Sequence, residues 1–310
     1  MLARALRSLR RGPPAAPAPE RREVKRPSSS TEMYFVAGEA GDRPLLVVYH
    51  IQKTAGTALR EVVRANLPPG ELEVADDLRD LRYEPEKLIE WHREWYGALD
   101  PARRGRLCCA MSHAAGYLLP ALDRTAETLV LVREPVDRVL SFYWEKRRNF
   151  LRGRDPDTHF NLLERVYEPP GASEKPPPQA WPQFFNWQSR CLLSVFHDVS
   201  ALSTAAGPPP DADLWRERLR DLVDRVYLVG VQDRFDEFVE LLGRRYGWET
   251  SAPRSGVNRT RPPLSEDDAA VRDTILAHNW LDAELYEWCS AAQERLAAEH
   301  APTGSAAAPR

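Results

Sequence analysis

Lys53, Thr54, Gly56 and Thr57 crowd into one short stretch, "HIQKTAGTAL", with Ala55 and Ala58 as small spacers. An ammonium, two hydroxyls and a glycine at this spacing suit the binding of an anion. Lysine supplies a compact positive charge, threonine a hydroxyl donor, and glycine lets a ligand approach the backbone. Two later residues carry related chemistry. His113 ends the segment "RLCCAMSH", and Arg133 ends "ETLVLVR". An imidazole titrates near neutrality and is suited to accept a proton from a hydroxyl; a guanidinium forks onto phosphate. Ser141 follows Arg133 by eight residues, about two turns along a helix. His50, just before the lysine, is a second imidazole, expected to position the loop rather than to move protons.

These residues need elements to hold them. The apolar run "LLVVYHI" predicts a buried strand over Leu45–Ile51, and Leu59, Val62, Val63 and Leu67 recur at helical spacing until "LPPG" stops the helix. A helix that opens directly after a strand offers unpaired N–H groups and a positive dipole end, a ready anion site. In the common nucleoside-triphosphate loop glycine precedes the lysine; here Lys53 precedes Gly56. Further along, "PEKLIEWHREWYGAL" predicts a helix, "RLCCAMSH" and "ETLVLVR" strands, and "PVDRVLSFYWEKRRNFL" a helix with proline in its first turn. "RVYLVGV" predicts a strand and "DRFDEFVELLGRRYG" a helix closed by Gly247. "SEDDAAVRDTILAHN" and "DAELYEWCSAAQERLAAE" predict two final helices. "EPPGASEKPPPQAWP" and "GPPP" read as surface loops, the first as a lid.

Strands alternating with helices predict an α/β fold: a parallel sheet flanked by helices, as in P-loop NTPases. Lys53, His113 and Arg133 then all lie just beyond strand ends, where an open parallel sheet binds ligands.

Charge is unevenly spread along the 310 residues. Residues 1–30 carry eight Arg or Lys against two Glu, so this segment is +6 while the remainder is −9. The overall −3 points away from nucleic acid. Proline, alanine and arginine favour a solvated, disordered tail over residues 1–32; a short basic turn making weak peripheral contact with an anionic membrane surface is the alternative. The expected folded domain is 33–300, followed by a second disordered tail over 301–310. Cys108, Cys109, Cys191 and Cys289 lack the paired spacing of a zinc site and read as buried thiols of a reducing compartment. No apolar run reaches the length of a membrane span, and the start lacks the apolar core of a secretory signal, so a cytoplasmic location is expected, with any membrane contact peripheral to the inner face.

"HIQKTAGTAL" resembles the "HIPKTGGTSL" loop of the Golgi heparan sulfate 2-O- and 6-O-sulfotransferase-like superfamily. Gln52 stands where that family usually has proline, and Ala55 where it has its first glycine. "LVLVREPVDRVLSFYW" is similar to the family segment R-D/E-P-x-x-R-x-x-S-x-Y, and "MSHAAGYLLP" to its G-H-x-x-Y/F-G region. "FFNWQSRCLLS" and "GVNRTRPPLSEDD" are looser matches. The resemblance spans about Leu45 to Leu296 and is specific at the first two motifs.

What the resemblance implies is a sulfotransferase fold using 3′-phosphoadenosine 5′-phosphosulfate as donor co-substrate, without a metal. Lys53, Thr54, Ala55, Gly56, Thr57 and Ala58 would hold the 5′-phosphosulfate, Arg133 and Ser141 the 3′-phosphate, and His113 would be the base. Asn258 and Arg259 would close over the donor; His50, Asn186, Gln188 and Arg190 would line the acceptor side. The acceptor would be a hydroxyl, on a glycan or glycolipid. Two other readings stand beside this one. A P-loop kinase or NTPase shares the architecture but calls for G-x-x-x-x-G-K-[ST] and a magnesium-binding acid. A catalytically weak nucleotide-binding protein of the same fold would keep the pocket without a working base. Lys146, Arg147, Arg148, Arg152 and Arg154 form a basic stretch that reads either as an attractor for an anionic acceptor or as a solvated helix end.

Overall fold

The computed structural model describes residues 31–37, 44–67, 71–75, 84–153, 167, 181–197, 211–226, 228–251 and 269–300. Residues 168–180 of the expected lid (168–182), the expected loop 207–210, the pair Asn258 and Arg259, Arg154 and both expected tails up to residue 30 and from 301 lie outside the described residues.

The elements run β1 (Thr31–Phe35), β2 (Leu45–Tyr49), α1 (Gly56–Asn66), β3 (Glu71–Ala75), α2 (Pro85–Ala98), α3 (Pro101–Arg106) and β4 (Leu107–Ser112). After a 3₁₀ helix at Ala115–Ala121 come β5 (Ala126–Val132), α4 (Pro135–Leu151), α5 (Trp187–Phe196), α6 (Ala212–Arg225) and β6 (Leu228–Val231). The helices α7 (Phe235–Tyr246), α8 (Ala269–His278) and α9 (Trp280–Glu299) complete the order. The strands form one sheet in the order β3-β1-β4-β2-β5-β6.

This is an α/β fold with a mostly parallel sheet. β4, β2, β5 and β6 are mutually parallel, with Tyr49 opposite Ser112 and Val130. Successive strand side chains alternate between the two faces. Leu46, Val48, Leu129 and Leu131 pack with Leu59 and Val63 of α1 and Phe238, Leu241 and Leu242 of α7. Tyr49, Val130, Val132 and Val231 pack on the opposite face with residues of α5, α6 and α9.

β1 and β3 extend one edge; β1 is antiparallel to both its neighbours, β3 and β4, and so departs from the expected parallel sheet. β1 includes Thr31 and Glu32, which the sequence had assigned to the tail. The strand was missed because a charged residue, Glu32, sits at a buried position beside Met33, Tyr34 and Phe35. Glu32 is 1% exposed and is neutralised by Arg64 of α1, whose Nε lies 3.2 Å from its carboxylate. A buried carboxylate of this kind is tolerated only when paired and hydrogen-bonded. α6 is also additional; Trp215, Leu219, Leu222 and Val223 form its buried stripe, and Asp211 caps it by accepting from the Leu214 N–H.

The expected strand over Leu45–Ile51 ends earlier, at Tyr49. Two other expected features are as read. α4 begins at Pro135, and Gly247 closes α7 in a left-handed conformation. No helix among the described residues is long and apolar enough to cross a membrane.

Candidate functional site

The site is centred where β2 ends. From there the chain passes to α1 on one face of the sheet, whereas β4, its neighbour, leads into the 3₁₀ helix on the other face. Such a divergence opens a crevice at the carboxyl ends of parallel strands.

The loop 50–55 is wound tightly. Lys53 and Ala55 both have positive φ, 74° and 64°. Side chains in this region crowd the backbone, at a cost of about 1–2 kcal/mol each. Among the described non-glycine residues only Asn186 shares it. Backbone strain concentrated in one loop is a feature of functional sites. Gly56 is needed for a different reason: a Cβ there would lie 1.7 Å from His50 Nε2. The glycine makes room for an imidazole, and its place after the lysine follows from that contact.

Ala55 caps α1 without a side-chain hydrogen bond, and the first helical bond runs from Leu59 N–H to Ala55 O. The N–H groups of Gly56, Thr57 and Ala58 therefore have no partner inside the helix. With the dipole end of an 11-residue helix they make an arrangement suited to an anion. Thr57 is exposed at its mouth. Thr54 corrects its sequence-based role: it is buried, and its hydroxyl donates to Ile51 O at 2.9 Å, closing the loop from inside.

Parallel register brings the two histidines together. Tyr49 pairs with Ser112, so the next residues, His50 and His113, stand side by side, their rings stacked at 4.2 Å. His113 Nδ1 lies 2.5 Å from the carbonyl oxygen of His50. A carbonyl oxygen only accepts, so Nδ1 carries the proton and the neutral ring keeps its lone pair on Nε2. Burial, reinforced by the neighbouring His113, Arg60 and Lys53, pushes the His50 imidazole well below the usual histidine range. His50 thus stays neutral, which fits a positioning role.

Arg133 reaches back to the loop. Its Nη1 donates to Lys53 O at 3.3 Å, and Nη2 lies 3.4 Å from Asp137 Oδ2. Gln188 fixes the backbone from which it springs: Oε1 accepts from Arg133 N–H and Nε2 donates to Arg133 O, both at 2.8 Å. Ser141 lies half-buried on α4. Two motifs 80 residues apart are thereby one piece of structure.

The other expected acceptor-side residues serve the frame. Asn186 Oδ1 accepts from the N–H groups of Leu281 and Asp282 at the start of α9, at 3.0 and 3.2 Å. Asp282 returns the favour at α5, accepting from Gln188 and Ser189 N–H. Arg190 is 3% exposed, donates to Phe185 O and lies against the Trp215 ring. Neither Asn186 nor Arg190 is presented to a ligand; both are corrected to structural roles, and Gln188 to the support of Arg133.

Sequence reasoning passed over Asp137 and Glu145. Glu145 Oε2 lies 3.1 Å from Lys53 Nζ. Their signal was spacing: 133, 137, 141 and 145 repeat every four residues, one side of a helix. In the basic stretch, Lys146 and Arg147 lie over the rings of Phe142 and Trp144, and Arg152 is exposed. Of the cysteines, Cys109, Cys191 and Cys289 are buried and Cys108 half-buried; all four are free thiols.

No protein-family model matches this chain, and a search of curated proteins finds no relative.

Proposed function

We propose that the protein is a sulfotransferase-fold enzyme that moves a sulfuryl group from 3′-phosphoadenosine 5′-phosphosulfate to an acceptor hydroxyl, on a carbohydrate. The observation that carries this reading is the hydrogen bond from Arg133 Nη1 to Lys53 O. It brings the Arg133 guanidinium up to the Lys53 loop, which supports binding of a donor phosphorylated at two positions of its ribose. A nucleoside triphosphate would use one such loop and a magnesium-binding acid; here β5 leads directly into Arg133.

The residues present fit the donor. The uncapped N–H groups at the start of α1 and the Lys53 ammonium complement its 5′-phosphosulfate, and Arg133 with Ser141 its 3′-phosphate. In the transfer, the acceptor oxygen forms a bond to sulfur while the bond from sulfur to the bridging oxygen breaks. His113 Nε2 takes the acceptor's proton. The electron pair of the broken bond stays on the bridging oxygen, and Lys53 with the helix N–H groups offsets the charge that grows there. Positioning and fixed charge carry most of the catalysis, as in phosphoryl transfer.

Purified protein incubated with donor labelled in its sulfuryl group and a panel of hydroxyl acceptors tests this. Label should pass to a carbohydrate acceptor. Turnover of ATP with magnesium, and none of the labelled donor, would replace the reading with a kinase or NTPase.

A further inference from the structure

The side of α4 that carries Asp137, Ser141 and Glu145 is chemically odd for an anion site. Asp137 is matched to Arg133 and Glu145 to Lys53, so each proposed phosphate-binding cation already faces a carboxylate of the same helix. Ser141 lies midway between the two acids, at i+4 from one and i−4 from the other. A carboxylate beside a phosphate repels it, and nothing in anion binding calls for one there. The two partners differ in freedom. The Lys53 side chain is 19% exposed and springs from a left-handed residue, whereas Glu145 is 40% exposed. A partly desolvated ammonium gains from a counter-charge when no ligand is bound, and the more exposed carboxylate is the partner able to turn to water.

We infer that Glu145 is a positioning residue: its carboxylate competes with the anion for Lys53, yields when nucleotide binds, and recaptures the lysine as nucleotide product leaves. This rests on the function proposed above. The exchange replaces one ion pair with another, so Glu145 weakens donor and product binding alike and speeds release. Release of product is a common limit on turnover.

The test is titration calorimetry of 3′-phosphoadenosine 5′-phosphate and, separately, inorganic pyrophosphate. The proteins are wild type, Glu145→Gln, Glu145→Asp, Lys53→Met and the double variant Lys53→Met/Glu145→Gln. Glu145→Gln should tighten nucleotide binding about two- to fivefold, the range of a partly exposed ion pair. Glu145→Asp should stay nearer wild type, and the gain should vanish in the Lys53→Met background. In steady state, Glu145→Gln should lower KM for the donor and kcat together. Unchanged or weaker nucleotide binding overturns the inference, as does a gain that survives without Lys53. Pyrophosphate separates the two claims. If it alone binds, and binds tighter in Glu145→Gln, the exchange stands and the sulfuryl-donor reading falls. If nucleotide binds without regard to residue 145, the exchange falls and the donor reading stands. If neither anion binds, both fall.

Discussion

The Nδ1–H of His113 donates to the backbone carbonyl of His50 across 2.5 Å. This fixes the tautomer of one imidazole by the main chain of another, and it follows from the parallel pairing of Tyr49 with Ser112. A base must be held in its working tautomer to be effective. His113→Ala should therefore lower kcat by about 10²–10⁴-fold while nucleotide affinity stays within about twofold, since no phosphate contact is assigned to this ring. Paired transfer assays and titrations measure both. A variant that transfers sulfuryl normally would remove His113 from the mechanism.

Ala55 and Gly56 give a second prediction with opposite signs. Ala55 sits at φ 64°, so Ala55→Gly relieves left-handed strain of about 1–2 kcal/mol, partly offset by the entropy glycine adds to the unfolded chain. Net stabilisation of about 0.5–1 kcal/mol is expected, read as a rise in Tm of roughly 1–3 °C. Gly56→Ala drives a methyl into the His50 ring and should cost about 1–3 kcal/mol and weaken anion binding. Thermal melts that rank the two variants the other way would contradict the loop geometry.

His92 sets a pH dependence of stability. It is buried on α2 with Nδ1 2.7 Å from Leu88 O, and burial lowers its pKa from 6.5 to about 4. The sign follows: with a depressed folded-state value, its contribution is fully present above pH 6.5 and is lost as pH falls toward 4. The loss amounts to about 3 kcal/mol over that window. His50 acts in the same direction. Urea unfolding across this range should show wild type losing about 3 kcal/mol relative to His92→Leu as pH falls. Parallel curves would show that His92 does not titrate with folding.

The sequence made some of this legible and hid the rest for physical reasons. β2, β5 and the start of α4 were readable because continuous apolar runs and a first-turn proline leave local signals. The convergence of Lys53, His113 and Arg133 on one sheet edge was readable because each follows a strand. β1 was not, since Glu32 is charged yet buried, and is satisfied by Arg64, a residue 32 positions away. Asn186 and Arg190 read as site residues only through the resemblance of "FFNWQSRCLLS" to a family segment; they are satisfied by α9 and Phe185. The long-range pairings of Glu32 with Arg64 and of Asn186 with α9 leave no periodic trace. Glu145 escaped notice inside a basic run, where its neighbours in sequence are not its neighbours in space.

The central claim is a site for two phosphates, spanning Lys53 and Arg133. It is tested most directly by titrating wild type and Arg133→Ala with 3′-phosphoadenosine 5′-phosphate and with adenosine 5′-phosphate. Wild type should prefer the nucleotide bearing the 3′-phosphate by roughly 10- to 100-fold, the value of a charge-assisted contact, and Arg133→Ala should lose that preference. Equal affinity of wild type for the two nucleotides would contradict the account.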